Sequence, residues 1–136
     1  MADKLNLEVA VPERLMVHED VEEVQVRGTD GYLGILPGHA PLMTGLGAGV
    51  LRFGKDGETR YMAVHGGVME VLPDRVRILA DRAEWADEVD LQRAEEARRR
   101  ANDLLRSHEM ETDVERAQAA IARARARLEA YDRMKS

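Results

Sequence analysis

The chain of 136 residues contains no cysteine. That excludes a disulfide scaffold, a thiolate metal site and a cysteine nucleophile. No apolar run approaches the roughly 20 residues that a membrane span needs, so direct insertion into a bilayer is not expected. The opening MADKLNLEV has no basic segment followed by an apolar stretch, so no secretory leader is expected. Positive charge is also in deficit. The formal net charge is −6, which argues against general nucleic-acid binding, a function that needs cations facing phosphates. Catalytic signatures are missing as well. There is no G-x-x-x-x-G-K-S/T loop, no G-x-S-x-G elbow, and no metal-ligand spacing among His18, His39, His65 and His108. No nucleophile, base and oxyanion donor fall together, so an enzyme acting alone is not expected.

The most informative absence is local. All 11 Gly and all 4 Pro lie between Pro12 and Pro73, and none follows. Gly and Pro are the main breakers of regular structure. The chain therefore divides into a turn-rich part, residues 1–84, and a part free of breakers, residues 85–136. The first part holds 9 basic and 14 acidic residues, net −5, and the second 11 and 12, net −1. A dense but balanced charge suits the solvated surface of a helix.

The first part reads as strands. Leu5, Leu7, Val9 and Val11 alternate with polar or small residues, as do Val24 and Val26, and Val76 and Ile78. Val50, Leu51 and Phe53 follow a Gly-rich stretch, and Tyr61–Val64 and Val68–Leu72 flank Gly66-Gly67. Turn signals separate the runs at Gly28-Thr29-Asp30-Gly31, Asp56-Gly57 and Pro73-Asp74. Many short strands without an intervening helix predict an antiparallel sandwich or barrel.

The second part reads as a helical hairpin. Asp87 and Asp90 are both suited to cap a first helix, whose seam is Ala94, Ala97, Ala101 and Leu104. Arg106 to Glu111 connects it to a second helix. Thr112 and Glu115 match a capping box there, followed by a seam of Val114, Ala117, Ile121, Ala124, Leu128 and Tyr131. These seams are rich in Ala. Each methylene an Ala lacks forgoes roughly 0.8 kcal/mol of burial, yet Ala, Arg, Glu and Gln are strong helix formers. Robust helices with weak docking are the expectation.

The segment Gly31-Tyr-Leu-Gly-Ile-Leu-Pro-Gly-His-Ala-Pro-Leu-Met-Thr44 resembles the signature of the epsilon subunit of bacterial F-type ATP synthase. Gly66-Gly67-Val68-Met69-Glu70-Val71 and Ile78-Leu79-Ala80-Asp81, followed by a charged hairpin, complete the family's order. The resemblance covers essentially the whole chain. It implies a β-sandwich of about ten strands, residues 1–84, and an antiparallel two-helix hairpin, residues 85–136. It implies a non-catalytic place on the central stalk, bound to the gamma subunit and resting on the c-ring. By the same resemblance, the complex would sit peripherally on the cytoplasmic side of the bacterial inner membrane. Asp30, Gly31, Tyr32, Gly38, His39, Ala40 and Pro41 are the partner-interface residues it suggests. The hairpin of this family can leave the sandwich and inhibit ATP hydrolysis by contacting alpha and beta.

No cofactor is required by the resemblance, but some bacterial members bind a regulatory ATP on the closed hairpin. Their Ile/Leu-Asp-x-x-Arg-Ala motif is matched by Val89-Asp90-Leu91-Gln92-Arg93-Ala94, with Val in the first place. Glu84, Arg100, Arg123 and Arg127 match the other positions. Arginine suits phosphate because its planar fork donates paired hydrogen bonds. Two accounts of this set stand side by side: a nucleotide site, or an Asp90 N-cap with a solvated arginine face. A stand-alone small-molecule-binding sandwich with a helical interaction tail is the alternative for the whole chain, though it has no need of the Gly31–Thr44 segment.

Overall fold

A computed structural model describes residues 3–107 and 113–136. Seven strands come first: β1 Leu5–Val11, β2 Arg14–Val21, β3 Glu23–Gly28, β4 Gly31–Ile35, β5 Leu42–Lys55, β6 Glu58–Leu72 and β7 Arg75–Trp85. A 3-10 turn, Ala86–Glu88, leads to α1, Leu91–Arg106, and α2, Val114–Lys135. The strands form one hydrogen-bonded sheet in the order β2-β1-β7-β6-β5-β3-β4, with β1 parallel to β7 and the other pairs antiparallel.

The sheet becomes a sandwich because its three long strands change which side chains face the core. In β5, Leu46 is a core residue, but so are Leu51 and Phe53, which have the opposite parity. In β6 the core takes Met69 and Val71 at one end and Met62 and Val64 at the other. In β7 it takes Val76, Ile78 and Ala80, then Ala83 and Trp85. Since strand side chains alternate with period two, each of these strands must twist through half a turn of its pleat between the two groups. β5 and β6 do so around their glycines. The ring of Trp85 packs against Phe53, with centroids 6.1 Å apart.

This crossing accounts for the strand count. The expectation of about ten strands becomes seven because β5, β6 and β7 each bend without ending, β6 at Gly66-Gly67. Four short strands and two halves of each of three long ones restore the ten. Gly67 is held at φ +124°, and a Cβ there would lie 2.2 Å from the Leu79 carbonyl oxygen. Only glycine allows β6 and β7 to approach so closely at the bend.

α2 lies against β5 and β6, and α1 packs chiefly on α2. Asp90 caps α1, its carboxylate accepting from the Arg93 N–H at 3.1 Å. Asp87 instead falls in the 3-10 turn. The predicted Thr112 capping box is corrected. Thr112 lies outside the described residues, and Asp113 is the N-cap of α2, accepting from the Arg116 N–H at 3.0 Å. Both residue types satisfy the same orphan donors, so the pattern left the choice between neighbours open.

The seams are also corrected at their ends. Leu104 and Val114 are exposed, and Leu105 is half-buried instead. A strict 3-4 spacing drifts around a straight helix of 3.6 residues per turn. Ala94, Ala101, Ala117, Ile121 and Ala124 are buried as the spacing predicts. In addition, α2 buries Ala126 and Ala130, a second line, so its far side is not wholly solvated.

Candidate functional site

The face of the sandwich beneath α2 is built from small residues. Val50, Ala63 and Glu84 stand side by side on β5, β6 and β7. Val50 and Ala63 form a minor core with Ala86 and Ala130, flanked by Tyr61 and Met134. Because both faces of these strands are covered, the sequence there runs apolar without alternation, as at Met62–Val64.

One polar residue ends that run. His65 is 95% buried, with 5% of its surface accessible. Its Nε2 lies 3.2 Å from Oε1 of Glu84. An ionised carboxylate can only accept, so Nε2 carries the proton and donates. Arg127, on α2, donates from Nε to the same Glu84 oxygen. Burial pushes the Glu84 carboxyl up, but the hydrogen bonds from His65 and Arg127 and the charge of Arg127 outweigh it. They hold the carboxyl below its ordinary value of 4.5. Glu84 is thus a half-buried anchor that ties α2 to the sandwich.

Of the sequence-predicted nucleotide residues, the structure joins Glu84 to Arg127 directly. Val89 and Ala94 are buried at the start of the hairpin, and Asp90 serves as the cap. Arg93 and Arg100 are exposed on α1, two turns apart, and Arg123 is half-buried on α2, one turn before Arg127. The guanidinium groups of Arg93, Arg100 and Arg123 have no ion pair or hydrogen bond among the described residues. Sequence reasoning missed His65. The signal that could have found it is a histidine inside an otherwise apolar buried run.

The predicted interface residues divide into two groups. Asp30, Gly31 and Tyr32 lie at the start of β4, and Gly38, His39, Ala40 and Pro41 follow its end. With roughly 3.3 Å per strand residue, the five residues of β4 separate the groups by about 15 Å. The second group is pinned by the Gly38 N–H, which donates to the Pro73 carbonyl at 2.7 Å. His39 makes a 2.6 Å contact from Nδ1 to the Ala40 carbonyl.

The opposite outer face of the sandwich is different in kind. Leu15, Ala10, Leu79, Val68 and Gly45 form one continuous cross-strand row over β2, β1, β7, β6 and β5. Leu15, Leu79 and Val68 are 55%, 51% and 50% exposed, and neighbouring Met43 is 72% exposed. No other element among the described residues covers this row. No described helix is long and apolar enough to cross a membrane, and no metal-ligating cluster occurs among the described residues.

The chain thus presents a sandwich, a docked hairpin and an uncovered apolar face. Family comparison places it. Residues 4–86 match the ATP synthase delta/epsilon chain beta-sandwich domain, and residues 87–132 match the long alpha-helix domain of the same chain. The chain belongs to the ATP synthase delta/epsilon family. An ATP synthase epsilon chain from Solibacter usitatus is 50% identical over 133 residues, covering 98% of this chain and 99% of that one. One from Desulforamulus reducens is 44% identical over 132 residues, covering 97% and 100%. Delta/epsilon chains are non-catalytic subunits of the F-type ATP synthase central stalk, and ATP synthesis and ion transport are the functions of the assembly they serve. The fold is also that of a chain in the Euglena gracilis mitochondrial ATP synthase OSCP/F1/c-ring complex. That likeness has a TM-score of 0.84 at 19% identity, over 93% of this chain and 80% of the other.

Proposed function

We propose that this delta/epsilon chain couples rotation to ATP synthesis in a proton-translocating synthase by binding gamma through residues 1–84. The second role is to restrain ATP hydrolysis through a hairpin, residues 85–136, that leaves the sandwich to meet alpha and beta. The observation that carries the reading is the contrast in docking. The hairpin sits on small side chains and one charged anchor, whereas the large outer apolar side chains, Leu15, Leu79, Val68 and Met43, are left for a partner. Burial of roughly 25 cal/mol per Å² makes the second surface the stronger adhesive. Gamma is the occupant we assign to it. The turn around Asp30 and Gly31 is assigned to the c-ring, with the whole peripheral on the cytoplasmic side of the bacterial inner membrane.

ATP fits the closed hairpin as a regulatory ligand rather than a required cofactor. Arg93, Arg100 and Arg123 have no ion pair among the described residues, while Asp90 and Ala94 stand in the first turn of α1 with Arg93. A ligand that touches both helices favours the closed arrangement by its differential affinity. At about 100 times its dissociation constant, the shift is roughly 2.7 kcal/mol. Trp85, the only Trp, lies between sandwich and hairpin and reports on both. The test mixes the chain with gamma and the catalytic hexamer and follows hydrolysis, with ATP titrated against Trp85 fluorescence. Restrained hydrolysis and a saturable signal are expected, and Arg93→Ala, which weakens the hold of ATP on the closed hairpin, should weaken the signal and deepen the restraint. Hydrolysis indifferent to the chain would overturn the regulatory role, and a flat titration at millimolar ATP the nucleotide site.

A further inference from the structure

The last turns of α2 are held by a group that neither the seam pattern nor the Glu84 anchor includes. Tyr32 follows the β3–β4 turn and pairs across the ladder with Arg27. The guanidinium of Arg27 lies over the Tyr32 ring, 5.9 Å from its centre. That of Arg133, on the final turn of α2, lies over the same ring at 5.7 Å. The Tyr32 hydroxyl accepts from the Val50 N–H at 3.3 Å, fixing the ring beside the minor core that receives Ala130. Space for this layer comes from β5. A Cβ at Gly49 would lie 2.6 Å from Cβ of Arg27, so only glycine lets the Arg27 stem lie flat there. Arg133 also pairs within its own helix with Glu129 at 3.3 Å.

We infer that Tyr32 is the clasp that seats the C-terminal end of α2 on the sandwich, acting through its ring on Arg133. The inference rests on the proposed mobile hairpin and adds a positioning residue to it. A cation over an aromatic face at a partly exposed site contributes modestly. Such a clasp is strong enough to bias docking and weak enough to open. Tyr32 lies two residues from Asp30, so the β3–β4 turn and the end of α2 form one connected unit.

The experiment is a double-mutant cycle on the full chain, read by hydrogen exchange of the amides in residues 129–135. Tyr32→Ala and Arg133→Ala should each speed exchange there about two- to five-fold. The double variant should be no faster than the faster single one, since both remove one contact. Tyr32→Phe keeps the ring and should keep the coupling to Arg133, while Arg125→Ala, on an exposed position of α2, should leave exchange unchanged. Single variants without effect, or effects that simply add, overturn the clasp and reduce Tyr32 to packing. Hydrolysis by the chain assembled with gamma and the catalytic hexamer separates the two layers of inference. If the helix end loosens while hydrolysis stays as before, the clasp stands and the regulatory reading falls. If no coupling exists, the clasp falls whatever hydrolysis does.

Discussion

The two outer faces of the sandwich share three strands and are dressed in opposite ways. The face under α2 carries Val50 and Ala63, with Glu84 as a charged anchor. The uncovered face carries Leu15, Leu79, Val68 and Met43. Covering the half of a Leu or Val side chain that is still exposed contributes on the order of 1 kcal/mol, and an Ala offers far less. The chain therefore grips its own helices loosely and reserves its strongest adhesive for something else. On the function proposed above, weak internal docking and strong external docking would let one small protein hold a permanent place and still keep a movable part.

The most severe way to break the contrast is at the bend that both faces share. Gly67→Ala places a Cβ against the Leu79 carbonyl at a φ that side chains rarely adopt. We expect a loss of about 3 kcal/mol or more, seen as a lower urea midpoint for the whole chain. A midpoint within error of the parent would mean that the bend is not needed to build both faces.

A matched pair of substitutions tests the faces separately. Leu79→Asp, on the open row, should alter stability by less than about 1 kcal/mol and abolish binding to gamma in co-sedimentation. Ala63→Asp, beneath α2, places a carboxylate against Val50 and Ala130 and should cost about 2 kcal/mol. Its first sign should be loss of protection in α2. If Leu79→Asp still co-sediments with gamma, the open face is not the partner surface.

The mildest test is acid. The Glu84 carboxyl is held below 4.5 in the folded chain by His65 and Arg127. Its pairing therefore stabilises docking fully above about pH 4.5 and is lost as pH falls through the lowered folded value. A partly exposed pair of this kind contributes about 1 kcal/mol. Trp85 fluorescence should report loosening of the hairpin on acidification. Glu84→Gln should remove the Glu84-linked part of that transition, and an unchanged transition would show that other carboxylates govern it.

How much of this could be read from residues alone follows from what each pattern measures. Alternation located the core positions Leu5, Leu7 and Val9, Val24 and Val26, and Val76 and Ile78, because burial of one face is a local, period-two signal. The Asp56-Gly57 turn was legible for the same local reason. The change of parity was not: in β5 and β6 a glycine where a strand bends looks the same as one where it ends, and in β7 no glycine marks the bend at all. At the site, Asp90 was legible as a cap. The contact of Glu84 with Arg127 spans 43 positions of sequence, and His65 joins it only through sheet register. Tyr32 was nominated as an interface residue by resemblance, but its arginine partners on β3 and α2 are a product of tertiary packing.

The long strands have a mechanical consequence. In a sandwich of separate strands, one layer can shear over the other by sliding side chains. Here β5, β6 and β7 run through both layers, so sliding would have to tear ladders that extend from Leu42↔Val71 to Lys55↔Glu58. Shear is thus opposed by covalent chain and hydrogen bonds rather than by greasy contacts alone. A load applied at Leu79 and Val68 reaches Ala63 and Glu84 along the same backbones, and the sandwich resists shear as a single stiff collar.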